Sequence, residues 1–157
     1  MEELLEYRKE LMNGLFSAPD ELAKRMQTIN DPFQPLEPGG WNAHQVIVHM
    51  RDVNREVYIP RLKRILAEDD PLFVNFDGEA WMAAHYQVGE PLKDLLADFS
   101  LGCRSTADLL SALPASAWNR TGNHPTLGRH ALQWWAERLL AHITEHLQQI
   151  SKHGGAK

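Results

Sequence analysis

Cysteine is almost absent from this chain. Cys103 is the only one among 157 residues, which excludes an internal disulfide. Long apolar runs are also absent, because no stretch approaches the roughly 20 residues that a membrane-spanning helix needs. The N-terminal segment Met-Glu-Glu-Leu-Leu-Glu is acidic and lacks the basic start of a secretory signal peptide. These absences predict a reduced, cytoplasmic protein with no membrane partner.

Positive charge is scarce as well. The formal net charge is -5, with 16 basic against 21 acidic residues. The most basic stretch, between Arg51 and Arg64, is accompanied by acids such as Asp52 and Glu56. Nucleic-acid binding needs a concentrated basic surface, so the sequence predicts no nucleic-acid partner.

Helical periodicity dominates the chain, and no strand pattern is evident. The periodicity predicts helices over residues 2–16, 19–29, 42–68, 78–85, 91–113 and 129–152. Asn42 is the expected N-cap of the third helix and Pro60 its expected kink, while Gly154-Gly155 should stop the last helix. Residues 114–128 are predicted to form a connection with one turn near Trp118. The predicted fold class is all-α, a four-helix bundle with short extra helical segments in its connections, in one domain over residues 1–157.

Three histidines lie on the apolar faces of two of these helices. His49 continues the stripe that runs through Val46 and Val53, and His142 and His146 are four residues apart on the inward face of the last helix. A buried imidazole needs partners for both ring nitrogens, and a shared metal ion supplies one partner to each ring. Hydrogen-bonded core histidines explain the same spacing, so facing alone leaves both interpretations open.

The segment His142-Ile-Thr-Glu145-His146 also fits the H-x-x-E-H pattern of inverted zinc peptidases. Those enzymes take a further acidic ligand well downstream of the motif. No residue after His146 is Asp or Glu, so the sequence argues against a peptidase.

Three segments together resemble the DinB-like superfamily, in the branch called DinB_2. They are Trp41-Asn-Ala-His-Gln-Val-Ile-Val-His49-Met-Arg-Asp52, then Thr121-Gly-Asn-His-Pro-Thr-Leu-Gly128, and finally His142-Ile-Thr-Glu-His-Leu-Gln-Gln-Ile150. With the helix spacing, the resemblance covers nearly the whole chain. It implies a four-helix bundle in which His49, His142 and His146 bind one divalent metal ion, zinc or nickel, with iron and manganese as alternatives. Many members are homodimers, so a homodimer is expected.

The activity that the resemblance implies is broader. The superfamily includes thiol-dependent S-transferases and isomerases that use bacillithiol or mycothiol, beside members without known activity. We therefore expect a metal-dependent transferase or hydrolase, in which a low-molecular-weight thiol or water attacks a small electrophilic substrate. The alternative is a dimeric bundle that binds a metal or ligand without catalysis.

Several side chains are candidates for roles around such an ion. Asp52, one turn after His49, is either an acceptor for a ligand imidazole or part of a surface ion pair. Glu145 lies about 60° around the helix from His142 and is a candidate base or a solvated flank. The candidate substrate-binding residues are Trp41, Tyr58, Arg61 and Trp81. Aromatic residues at such positions more often belong to the core, and Arg61 is equally consistent with a surface role.

Overall fold

The computed structural model describes the backbone of residues 1–153 and the side chains of residues 1–150. The helices in this part of the chain are α1 (Glu2–Met26), α2 (Ala43–Val53), α3 (Ile59–Ala67), α4 (Gly78–His85), α5 (Leu92–Ser111) and α6 (Leu132–His153). A π-helical segment, Asn54–Tyr58, joins α2 to α3, and a 3-10 turn, Ala115–Asn119, follows α5. Two strands, β1 (Thr121–His124) and β2 (Gly128–Ala131), precede α6. The predicted stop at Gly154-Gly155 lies outside the described residues.

Four long helical rods form the bundle: α1, the continuous α2–α3 rod, α5 and α6. Both α1 and α2 pack against α5 and α6, and the apolar faces of all four rods meet in one core. Leu15, Ile47, Phe99, Trp135 and Leu139 are fully buried there. The predicted all-α four-helix bundle is therefore confirmed. No helix within residues 1–153 is long and apolar enough to cross a membrane.

Helix α1 is longer than the sequence predicts. We expected a break before Pro19, yet α1 runs without interruption from Glu2 to Met26 with Pro19 inside it. A proline in a helix interior removes one backbone hydrogen bond and costs about 3 kcal/mol. Leu15 and Leu22, on either side of Pro19, are completely buried against the bundle. Their burial on the two neighbouring turns holds the helix together across the proline.

The start of α2 follows the sequence prediction. The Asn42 side chain accepts a hydrogen bond from the backbone N–H of Gln45 at 2.8 Å. The Gln45 side chain in turn accepts from the backbone N–H of Asn42 at 3.0 Å. This reciprocal capping box satisfies two N–H groups that a helix start leaves free. It fixes the origin of the helix that carries His49.

The sequence predicts a kink at Pro60, but the structure between α2 and α3 differs from that prediction. Backbone bonding changes to the π-helical pattern over Asn54–Tyr58, and Pro60 falls in the first turn of α3. A proline in a first turn lacks an N–H that would have few partners anyway. The predicted disturbance is present, but it lies before the proline and takes the form of a widened turn.

The β1–β2 hairpin shows that the expectation of a chain without strands was wrong. The strands pair antiparallel, with Thr121 opposite Ala131 and His124 opposite Gly128. Each strand has four residues and contains glycine and histidine in place of an alternating apolar pattern, so periodicity gives no signal. The hairpin also moves the start of α6 from the predicted residue 129 to Leu132.

Candidate metal centre

Three histidines from two helices converge at one point on the bundle. His49 projects from α2, and His142 and His146 project from successive turns of α6. The Nε2 atom of His142 lies 3.1 Å from the Nε2 atom of His49 and 3.1 Å from that of His146. The candidate ligand atoms of all three side chains lie within 4.8 Å of one another.

This arrangement suits a shared cation better than hydrogen bonding. A neutral imidazole nitrogen either donates one proton or offers one lone pair, so the Nε2 atom of His142 cannot fully satisfy two like neighbours. Metal–nitrogen bonds of about 2.0–2.1 Å at near-tetrahedral angles put ligand nitrogens roughly 3.3 Å apart, close to the observed spacing. One divalent ion facing the three nitrogens fits this donor set.

Burial keeps the rings of His49 and His142 uncharged at neutral pH. The pKa of His49 is lowered to about 4, chiefly by burial and in part by the neighbouring His146. Burial likewise lowers the pKa of His142 to about 3, with contributions from His146 and His49. Uncharged imidazoles are the form that binds a metal ion.

The second ring nitrogens differ between the two α6 histidines. The Nδ1 atom of His146 donates to the side-chain oxygen of Gln149 at 2.9 Å, which leaves its Nε2 lone pair free for a metal. The Nδ1 atom of His142 is buried and has no hydrogen-bond partner among the described residues. His146 is therefore fixed in a ligand-competent tautomer, whereas His142 is held by packing.

The first residue of α4 closes one side of the site. A Cβ atom added at Gly78 would lie 3.0 Å from Cε1 of His49, tighter than ordinary van der Waals contact. The ring of Trp41 lies 5.0 Å from the His49 ring, centroid to centroid, on another side. His49 is thus held between α4 and Trp41, with little freedom to rotate.

Gly78→Ala is expected to weaken metal binding while leaving the fold intact. The added methyl group would push the His49 ring by a few tenths of an ångström, and we expect a loss of affinity of about tenfold, as for other changes that disturb the orientation of a ligand. Gly89→Ala is the control, because a Cβ atom there meets nothing within 4 Å. Metal titration of both variants measures the effect. Equal affinities would show that Gly78 does not constrain His49.

Two open recesses adjoin the histidines. One is lined by Trp41, Phe76 and Glu79 together with His49 and His146. The other, of about 320 Å³, is lined by Tyr58, Arg61, His124 and Arg138 together with His49 and His142. A small molecule in either recess would lie against two of the three imidazoles, those of His49 and His146 in the first and those of His49 and His142 in the second.

The structure brings three of the four candidate substrate-binding residues to these recesses. Trp41 lines the first, and Tyr58 and Arg61 line the second. Trp81 lines neither of them. Its indole N–H donates to Asp52 at 3.0 Å, and its ring stacks on His85 at a centroid distance of 3.8 Å.

Asp52 is neither an acceptor for a ligand imidazole nor part of a surface pair. Its carboxylate is buried and accepts hydrogen bonds from Arg51, Arg55 and Trp81 at 2.8, 3.2 and 3.0 Å. Arg51 also pairs with Glu90. Asp52 therefore ties α2 to α4, at the end of the turn that carries His49.

Glu145 does not reach the histidines. Its side chain is exposed and lines a surface groove with Tyr7 and Leu11 of α1. A base role at the metal site is therefore not available to it in this arrangement.

Sequence reasoning missed two residues of the second recess. Arg138 lies one turn before His142 on α6, so its four-residue spacing from a candidate ligand was a usable signal. His124 is buried, and its Nδ1 atom accepts the backbone N–H groups of Thr126 and Leu127. It comes from β1, which the periodicity did not reveal.

Comparison with known proteins gives a consistent picture. Residues 5–150 match the sequence model of the DinB superfamily, DinB_2. A protein of Oceanobacillus iheyensis named "Putative metal-dependent hydrolase" is 31% identical over 113 residues, 68% of this chain and 64% of that protein, so the match spans less than two thirds of its length. "Putative metal-dependent hydrolase YfiT" of Bacillus subtilis is 28% identical over 89% of this chain and 84% of its own length.

A solved structure shows the same fold. The chain superposes on Bacillus subtilis YfiT with a TM-score of 0.83 over 94% of this chain and 85% of that one, at 23% identity. That protein is described as "a probable metal-dependent hydrolase with an unusual four-helix bundle topology".

Proposed function

The chain belongs to the DinB superfamily, and on that premise we propose that it is a metal-dependent hydrolase whose ion is held by His49, His142 and His146. The observation that carries the proposal is the convergence of three Nε2 atoms, 3.1 Å from one to the next, beside open recesses. The names of the Oceanobacillus and Bacillus relatives support hydrolysis as the reaction type. Three nitrogen ligands leave room for a substrate or water, as catalytic sites require.

The chemistry divides between the ion and the chain. When bound, a divalent ion supplies Lewis acidity, which polarises a carbonyl or phosphoryl oxygen and makes water nucleophilic near neutral pH. The chain holds three imidazoles in place, with Gly78 and Trp41 restricting His49 and Gln149 fixing the tautomer of His146. Nitrogen donors of this kind suit zinc or nickel, and the proposal takes these two as the first ions to test.

Metal removal tests the proposal directly. The purified protein should carry about one zinc or nickel ion per chain by elemental mass spectrometry. It should also hydrolyse at least one member of a panel of small ester, amide and phosphoester substrates. We expect a chelator to abolish turnover and the added ion to restore it, because the ion provides the Lewis acid. For alanine variants of the three candidate ligands, His85→Ala is the matched control, since His85 is also a histidine but is exposed and lies outside both recesses.

Two outcomes would contradict the proposal. A protein that binds no divalent ion stoichiometrically is not a metalloenzyme of this kind. Turnover that occurs only with an added low-molecular-weight thiol, and yields a thiol conjugate, would identify a transferase in place of a hydrolase. Running every assay with and without such a thiol separates the two reactions.

A further inference from the structure

The second recess contains two guanidinium groups and no carboxylate. Arg61 and Arg138 both line it, beside His49 and His142, and none of the described residues that line it is Asp or Glu. This is unusual for a chain with 21 acidic and 16 basic residues. Positive charge therefore gathers at one wall of the candidate metal centre.

Most other arginines of the chain are neutralised by a carboxylate. Arg51, Arg55, Arg64 and Arg129 are examples, with nitrogen–oxygen contacts to Asp52, Asp52, Glu68 and Asp70 respectively. Among the described side chains, neither Arg61 nor Arg138 makes such an ion pair. Their charge is left available to a ligand.

Packing holds Arg61 in place without cancelling its charge. Its guanidinium donates to the backbone carbonyl of Val74 at 2.9 Å and lies 5.3 Å from the ring centroids of both Phe73 and Trp135. Contacts of this kind orient a cation over aromatic faces. Burial lowers the pKa of Arg61, and the nearby charge of Arg138 acts in the same direction. The two cations therefore lie close enough to repel each other, and a bound anion would relieve that repulsion.

Further hydrogen-bond donors face the same space. The Nδ1 atom of His124 accepts backbone N–H groups, so the proton of this neutral ring lies on Nε2. Burial raises the pKa of the Tyr58 hydroxyl, and this hydroxyl lies close enough to Arg138 for the guanidinium to offset part of that rise. The recess therefore offers guanidinium, imidazole and hydroxyl donors around one volume.

We propose that this recess binds an oxyanion, a carboxylate or phosphate group, and so selects negatively charged substrates. Planar guanidinium groups bind both kinds of oxyanion through paired, charge-assisted hydrogen bonds. A substrate held here by its anionic end would place its neighbouring bond beside His49 and His142. That the anion belongs to a substrate rests on the proposed hydrolase function, whereas anion binding by the recess does not.

Anion titration of the 157-residue chain tests the inference. Sodium phosphate and sodium acetate are added separately, at constant ionic strength, to metal-stripped and to metal-loaded protein, and the Arg61 side-chain N–H signal is followed by NMR. We expect saturable binding of at least one anion, weakened about three- to tenfold by Arg138→Gln in both forms. Arg138 is exposed, so this variant should fold. Arg104→Gln is the control, because Arg104 pairs with Asp20 and does not line the recess.

The outcomes separate this inference from the proposed function. An anion affinity that is unchanged in Arg138→Gln overturns the inference. Anion binding that appears only in metal-loaded protein and does not depend on Arg138 overturns it as well. Anion binding that depends on Arg138 in a protein that holds no metal would support the recess and overturn the hydrolase. The phosphate and acetate titrations show which oxyanion the recess prefers.

Discussion

His142→Ala is expected to remove the stabilisation that the metal ion gives to the folded protein. His142 is the central member of the three, since its Nε2 atom lies 3.1 Å from each of the other two. Without it, only His49 and His146 remain as nitrogen ligands, and the ligand that lies between them is lost. We expect metal affinity to fall by at least about a hundredfold, the upper end of what the loss of a merely supporting group costs.

The loss can be measured by thermal unfolding. At a free metal concentration one hundred times the Kd, binding stabilises the native state by about 2.7 kcal/mol. For a chain of this length that corresponds to a rise in Tm of roughly 5–11 °C, which the variant should lack. Melts of wild type, His142→Ala and His85→Ala, each with zinc and with chelator, give the comparison. An equal rise in His142→Ala would show that the ion does not depend on this side chain.

Asp52→Ala is expected to be the most destabilising change among the polar residues near the site. Asp52 is 3% exposed and accepts from Arg51, Arg55 and Trp81. Its removal leaves the buried Arg51 guanidinium partly uncompensated and the Trp81 indole N–H without its acceptor. Breaking a buried pair in this way costs about 3–5 kcal/mol.

Urea unfolding in the presence of chelator measures this loss without interference from metal binding. Glu56→Ala is the matched control, because Glu56 also pairs with Arg55 but lies on the surface, where such a pair contributes at most about 1 kcal/mol. A loss below about 1 kcal/mol in Asp52→Ala would mean that Glu90 and solvent suffice for Arg51. Because Trp81 belongs to α4, the variant should also loosen the segment that holds Gly78 against His49.

The inward positions of the three histidines follow from the helical repeat, whereas their assignment as metal ligands was implied by the family resemblance. His49 lies on the stripe of Val46 and Val53, and His142 and His146 are one turn apart, so facing brings all three to the bundle interior. The N-cap at Asn42 is equally local, because its partner is three residues away. Features that depend on neighbours along one helix were predictable.

Features that depend on contacts between distant segments were not. Asp52 meets Trp81 of α4, and its partner Arg51 meets Glu90, so its burial is invisible to a helical repeat. Glu145 illustrates the opposite error: a 60° offset from His142 is enough to turn it toward α1. The hairpin and its His124 were missed because four-residue strands are too short for periodicity to register.

The widened turn at Asn54–Tyr58 determines which side chains of the α2–α3 rod lie at the recess beside the histidines. In an unbroken α-helix, the twelve residues from His49 to Arg61 would leave Arg61 about 120° away from the direction of His49. The π-helical turn takes up one extra residue, which reduces the offset to about 20° and puts both side chains at one recess. A single inserted or deleted codon in this stretch would therefore turn Arg61 away from the second recess and leave the positions of the three histidines unchanged. Metal binding and substrate choice can thus diverge independently among descendants of one bundle.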